Sequence, residues 1–306
     1  MLAEAASAIE CSRALCLHQS CVRIGGISLV LNGASSADVR LSSELDAFRS
    51  DREVPNITVQ VEWEERLQPW RGETVFDSGA LWRLFRDGPE FIFDFTSPAF
   101  GAYPYKRLRA SRDFRSAELI LNREVLESHR PVFPLEYPAD ELLITNYLSS
   151  GLGVEVHGCG LVDSETGGHL FLGHSGAGKS TSTMLWKSRR NCQILSDDRI
   201  ILRLHNGELW MYGTPWHGEA AFASPGECRL NRIFVLQHGE RNRTIPLTRP
   251  QAVAELFARS FPPFHNAQAL DRTVAFLGRI TDIVPCYEFQ FVPDGGAVEA
   301  VLGFHD

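Results

Sequence analysis

The sequence predicts an α/β protein in two parts, a β-rich N-terminal domain over residues 1–135 and an α/β domain over 136–306. Three observations carry this. The front is written in short β-branched and aromatic runs punctuated by Gly and Pro, the pattern of strands and turns. Pro131, Pro134 and Pro138 then break the pattern and mark a linker. Beyond them a strand, a glycine loop, a helix and another strand follow in turn, which is the grammar of α/β domains.

In the front, Ile24-Gly25-Gly26-Ile27-Ser28-Leu29-Val30-Leu31 reads as strand, 57–63 alternates strictly, and Glu90-Phe91-Ile92-Phe93-Asp94-Phe95 alternates aromatic with other residues. Gly72, Gly79, Gly88, Pro89 and Pro98 supply turns. The expectation is an antiparallel region over about 20–125, without a catalytic constellation. Arg107, Arg109, Arg112 and Arg115 read as a solvated strand or loop, with a peptide- or phosphate-binding patch as the alternative. A sheet edge beside Phe91, Phe93 and Phe95 is the expected place for an extended peptide to add as a strand. After the prolines, Asp140 opens an amphipathic helix through Leu142, Leu143, Tyr147 and Leu148, stopped by Gly151 and Gly153.

Composition narrows the function classes. The net charge of −8 argues against nucleic acid as an obligate partner. No apolar run approaches the roughly 20 residues that span a bilayer, and residues 1–10 hold two glutamates but no Lys or Arg, so a cytoplasmic, non-membrane protein is expected. The 7 cysteines are odd in number and form no C-x-x-C pair, which fits neither a disulfide framework nor a zinc site. Cys11, Cys16 and Cys21 are evenly spaced, but more widely than metal-binding loops usually place their ligands.

The strongest motif begins at His169-Leu170-Phe171-Leu172, a short apolar strand running into Gly173-His174-Ser175-Gly176-Ala177-Gly178-Lys179-Ser180. This is G-x-x-x-x-G-K-S, the P-loop pattern, with a helix expected over 179–190. Its glycines let successive N–H groups face phosphates, and the helix N-terminus adds partial positive charge. Gly173, His174, Ser175, Gly176, Ala177, Gly178, Lys179, Ser180 and Thr181 form the expected nucleotide-binding set. Lys179 places its charge on the outer phosphates, and Ser180 offers a hydroxyl to Mg²⁺. Lysine occurs only at 106, 179 and 187, so a motif that demands one is hard to meet by accident.

Cys192-Gln193-Ile194-Leu195 then returns as a strand parallel to the first, ending at Ser196-Asp197-Asp198. Functional ends of parallel strands are the carboxyl ends, so both aspartates are expected beside the loop, one for a metal and one as a base. A turn that merely caps a strand is the alternative. Asn206-Gly207 between two strand-like runs signals a hairpin, and its second arm ends in Gly213-Thr214-Pro215-Trp216-His217-Gly218-Glu219. Glu219 is the candidate third oxygen ligand, with a structural turn as its rival.

Together these residues resemble the catalytic domain of the HPr kinase/phosphorylase family. Its pattern is met by His157-Gly158, Gly173 to Ser180, Asp197-Asp198, Gly213 to Pro215 and Glu219, over roughly residues 140–240. The resemblance implies a P-loop (HPr kinase-like) catalytic domain using ATP and Mg²⁺. It implies Asp197 as the base toward a serine, Asp198, Ser180 and Glu219 around the metal, and His157 tuning the charge nearby. It also raises the expectation of a homo-oligomer, since HPr kinases are hexamers.

Two departures matter. The Glu-Ile-Arg-Gly stretch tied to the reverse phosphorylase reaction is not readable, and the β-rich front does not match the usual N-terminal domain. Both look more like the HPr-kinase-like proteins of peptide-modification clusters, including lasso-peptide kinases. A forward kinase acting on a serine of a peptide or small protein, such as a precursor peptide, is therefore expected. A nucleotide-binding regulatory protein with little or no kinase activity and a small-molecule kinase stay as alternatives.

Overall fold

Two large β-sheets and few helices make a mixed α and β chain in the computed structural model, which describes residues 18–51, 54–174, 176–188 and 192–304. Ser175, Cys11, Cys16 and the expected helix tail at 189–190 lie outside the described residues.

The chain enters through β1 (His18–Ile24) and β2 (Ile27–Gly33), antiparallel arms joined by Gly25 and Gly26. The single strand expected across 24–31 is thus a hairpin. Both glycines sit at positive φ, 60° and 68°, which a two-residue turn of this hand requires and a Cβ resists. A one-turn helix α1 (Ser43–Asp46) leads to β3 (Ile57–Glu64). There the strict alternation holds: Ile57, Val59 and Val61 are buried while Glu62 is exposed. Next come β4 (Thr74–Asp77), β5 (Trp82–Asp87), β6 (Glu90–Phe95), β7 (Lys106–Ala110) and β8 (Ser116–Asn122).

The spatial order is β1-β2-β3-β8-β7-β6-β5-β4. β3 runs parallel to both neighbours, which corrects the expectation of an antiparallel front. The run from β4 to β8 is an antiparallel meander, and it returns its last strand beside β3 in the same direction. β6 lies inside this sheet between β5 and β7, and its residues from Phe91 to Phe95 are all buried. It presents no edge to a peptide.

Nor do the basic residues nearby form a binding patch. Arg107 is buried against Asp94, donating from Nε at 2.5 Å, and Lys106 is buried with Nζ 3.0 Å from Glu136. Arg109 stands between Glu90 and Glu118, and Arg115 pairs with Asp113 while lying over the Tyr147 ring.

A second one-turn helix α2 (Arg123–Leu126) and then α3 (Ala139–Leu148) follow. α3 starts one residue before Asp140 and buries more than the expected stripe, Asp140 and Asn146 included. Leu143, Ile144, Tyr147 and Leu148 complete the front core, which also takes in Leu135, Ile201 and Trp216.

The second sheet holds β9 (Val154–Asp163), β10 (Gly167–Leu172), β11 (Cys192–Ser196), β12 (Arg199–His205), β13 (Glu208–Gly213), β14 (Glu227–His238), β15 (Arg243–Pro246) and β16 (Cys286–Phe291). Its helices are α4 (Lys179–Lys187), α5 (Arg249–Phe257), α6 (Ala267–Ile283) and α7 (Gly295–Leu302). The order is β10-β9-β12-β13-β14-β16-β15, with β11 beside β9. β10 also pairs in parallel with β14, so β9, β12, β13, β14 and β10 close a ring.

Alternation in β10 sends Leu170 and Leu172 to the core shared with α5 and α6, and Phe171 to the core shared with α4 and α7. The expected hairpin between β12 and β13 is present, with Asn206 at φ 51° and Gly207 at φ 82°. Among the described residues no helix is long and apolar enough to cross a membrane.

Candidate functional site

β10 and β11 run in the same direction, but they are not neighbours. β9 lies between them and is antiparallel to both. This brings three chain segments to one end of the sheet: the loop after β10, the Asp197-Asp198 pair after β11, and His157 where β9 meets β12. Gly158 pairs with Leu172, and the Gly158 N–H donates to the Asp198 carbonyl at 3.0 Å.

The loop from Gly173 to Lys179 wraps tightly. A Cβ on Gly173 would stand 2.8 Å from that of Ala177, and one on Gly178, which is at φ 98°, would fall on the Phe291 ring. Gly178 caps α4, and Lys179 is buried with its Nζ donating to the carbonyls of Gly173 at 3.0 Å and His174 at 3.1 Å. Burial lowers the Lys179 pKa, against the pull of the Asp198 charge. His174, Gly176, Ser180 and Thr181 are exposed, so the first turn of α4 faces solvent. From the far side, the His238 ring Nε2–H donates to the Gly176 carbonyl at 3.1 Å.

Asp197 and Asp198 diverge, as neighbours on an extended chain do. Asp197 is only 2 % exposed. Its Oδ1 accepts from the N–H groups of Gly218 and Phe222 at 3.1 and 3.2 Å, and its Oδ2 from Ala220 at 3.0 Å. The carboxylate expected to serve as a base is therefore the clasp of the 218–222 loop, with no oxygen turned to solvent.

Asp198 is the open one, its side chain 24 % exposed. Oδ1 lies 2.8 Å from His157 Nε2, and Oδ2 accepts from Arg199 Nη1 at 2.6 Å. Burial alone would raise the Asp198 pKa, but the His157 hydrogen bond and the Arg199, His157 and Lys179 charges outweigh it and hold the group below its usual range.

Behind Asp198 stands a network that the sequence reading missed. Arg199 lies 4.0 Å over the Phe261 ring, with Nε 3.2 Å from both Glu141 Oε1 and Glu155 Oε1. Burial, then the Glu141 charge, pushes the Glu155 pKa up, against the pull of the Arg199 charge. The guanidinium thus spans the two glutamates with Nε and holds Asp198 with Nη1. A sign was present in the sequence: Glu155 is a lone charge inside the otherwise apolar run from Val154 to Val156. His238 and Phe291, which prop the loop, carried no such sign.

Glu219 is exposed beside the clasp, and no hydrogen bond is recorded for its carboxylate. Among the described residues no group of three or more His, Cys, Asp or Glu side chains is arranged to hold a metal ion. Ser180 and Asp198 supply hard oxygen donors of the kind Mg²⁺ takes, and that ion usually keeps several waters and needs only one or two carboxylates from the protein.

No protein-family model matches the chain, and no curated protein matches it either. The functional reading therefore rests on the site itself.

A cavity of about 540 Å³ opens against Asp198 and Arg199. Its other walls come from α1 with its cap, from the segment leading into α3, and from Pro215, Trp216 and His217. Trp216 Nε1 donates to the buried Asp140 Oδ2 at 2.9 Å, tying this wall to the head of α3. Burial raises the Asp140 pKa to about 6.

Proposed function

We propose that the chain is an ATP- and Mg²⁺-dependent kinase that phosphorylates a hydroxyl, a serine of a peptide or small protein. One observation carries this most: a glycine loop capping α4, with Lys179 buried in it, and an open Asp198 whose charge acts on Lys179. Phosphoryl transfer asks a protein chiefly for positioning and charge stabilisation, and these groups supply both.

The fit to a nucleotide is chemical. Gly173 and Gly178 let the loop close tightly on Ala177 and Phe291, where a Cβ would clash, and backbone N–H groups at the start of α4 have no intrahelical partner. Gly173, His174, Gly176, Ala177, Gly178, Lys179, Ser180 and Thr181 would hold the phosphates, with Lys179 exchanging two loop carbonyls for phosphate oxygens. Ser180 and Asp198 would hold Mg²⁺, which supplies charge neutralisation when bound. Asp198, kept ionised by Arg199 and His157, would also be the carboxylate that takes the acceptor proton. Asp197 keeps the 218–222 loop in place.

A second reading, a nucleotide-binding regulatory protein, draws on the closed state of Asp197, since a switch needs no free base. Calorimetry with Mg·ATP tests the first requirement of both. Lys179→Ala is expected to weaken binding about 10–100-fold, the worth of charge-assisted hydrogen bonds. Unchanged affinity would end the nucleotide reading. Tight Mg·ATP binding with no phosphate transfer to any serine peptide would favour the regulatory one.

A further inference from the structure

We propose that the cavity of about 540 Å³ beside Asp198 receives the acceptor, and that this acceptor carries an ammonium or guanidinium group next to the hydroxyl to be phosphorylated. The proposal rests on the kinase reading and names the substrate chemistry of that same site. The cavity has the size of a small-molecule or short-peptide site, which typically runs to about 300–1,000 Å³. Its floor at Asp198 is the open carboxylate of the transfer site, so a group seated there presents its hydroxyl where the charge of Lys179 also acts.

The walls decide the charge. Glu44 on α1, Glu136, Asp140 and Asp198 all line the cavity. The cations do not balance them. Arg199 is shared among Asp198, Glu141 and Glu155, and Lys106 lies buried behind Glu136, only 1 % exposed. Both already face carboxylates, so among the described residues neither adds an unpaired cation to the wall. Glu44 stays ionised: its own backbone hydrogen bond and the hydroxyls of Ser42 and Ser43 lower its pKa, with the exposed His217 nearby.

Three aromatic rings, Phe133, Tyr137 and Trp216, complete the lining. Tyr137 is 54 % exposed, and Trp216 stands in the opposite segment. Such faces favour a cation over an anion. Past Tyr137 a second cavity of about 340 Å³ opens, with Trp82, Leu142, Phe261 and Phe264 in its walls, and it offers room for an apolar group flanking the cation.

The test uses the full chain without nucleotide, so that it reads the cavity apart from the P-loop. Binding is measured by calorimetry at low salt for four probes. A blocked tripeptide with serine between two arginines is compared with the same serine between two glutamates, and glucosamine is compared with glucose. In at least one pair the cationic member is expected to bind at least about tenfold more tightly, and that preference is expected to shrink several-fold in Glu44→Lys and less in Glu44→Gln.

Glu44 is exposed on a four-residue helix, and thermal melts of both variants verify that they fold. A response of the tripeptide pair identifies a basic peptide, and a response of the sugar pair alone identifies an amino sugar or amino alcohol. Equal or undetectable binding within both pairs, tighter binding of the anionic peptide, or a preference untouched in a folded Glu44→Lys overturns the proposal. Absence of Mg·ATP binding by the unaltered chain, measured separately, would instead overturn the kinase reading while leaving the cavity result standing.

Discussion

Replacing Asp197 with Asn separates two roles that the same carboxylate cannot fill at once. In the structure its oxygens accept three backbone N–H groups from Gly218, Ala220 and Phe222. Hydrogen bonds to a charged acceptor contribute about 1.5–3 kcal/mol each, and neutral ones about half that. Asn keeps one oxygen for two of the donors and turns an NH₂ group against the third. The loss is then one full bond plus the charge assistance on the other two, about 3–6 kcal/mol together.

This sum falls mostly on local opening of the 218–222 loop. Hydrogen exchange is the direct assay. The amides of Gly218, Ala220 and Phe222 are expected to exchange about 10²–10⁴-fold faster in Asp197→Asn, with a lower urea midpoint. A base would behave otherwise, because its loss lowers turnover by about 10²–10⁴ and leaves the loop alone. Unchanged exchange and an unchanged melt, alongside such a fall in phosphoryl transfer, would refute the clasp and restore Asp197 as the base.

Asp140 gives a pH signature. Its native pKa of about 6 lies above the ordinary 3.8, so the folded chain binds the proton more tightly than the unfolded one. Stability is therefore fully present below about pH 4 and declines as pH rises through 6, by about 3 kcal/mol for this group. Asp140→Asn keeps an acceptor for Trp216, and urea melts at pH 5 and 7.5 are expected to show a smaller decline than in the parent chain; an equal decline assigns the effect elsewhere. Gly178→Ala places a methyl group on the Phe291 ring at a left-handed φ of 98°. Strain and overpacking together predict a loss of about 2–5 kcal/mol and weaker Mg·ATP binding, read by melts and calorimetry; a melt like that of the parent chain would show that the loop tolerates a Cβ there.

What could be read from the sequence follows the reach of each signal. Local chemistry was legible: the alternation of 57–63, the hairpin at Asn206-Gly207, and a strand followed by a helix, at 167–172 and 179–187, all appear where expected. The common direction of β10 and β11 was legible too, because a helix between two strands returns the chain to its starting end. That β9 slips between them was not, since this depends on which strand reaches the gap first.

Pairing partners account for the other misses. Phe91, Phe93 and Phe95 looked available because the neighbours that bury β6 are set by the meander, not by β6 itself. Arg107 looked solvated because Asp94 lies one strand away and 13 residues back in the chain. The roles of Asp197 and Asp198 turn on which way each side chain points, and the loop that claims Asp197 lies over 20 residues downstream.

The ring formed by β9, β12, β13, β14 and β10 also sets an order in time. A chain emerging from the ribosome makes β10, the glycine loop and α4 early, yet β10 waits for β14, whose Leu230 to Val235 it pairs with. The prop beneath Gly178 comes later still, because Phe291 ends β16, far downstream of β14 in the chain. Pairings between segments so far apart in sequence form slowly. The loop from Gly173 to Lys179 therefore reaches its final packing only once β14 and β16 have both been made.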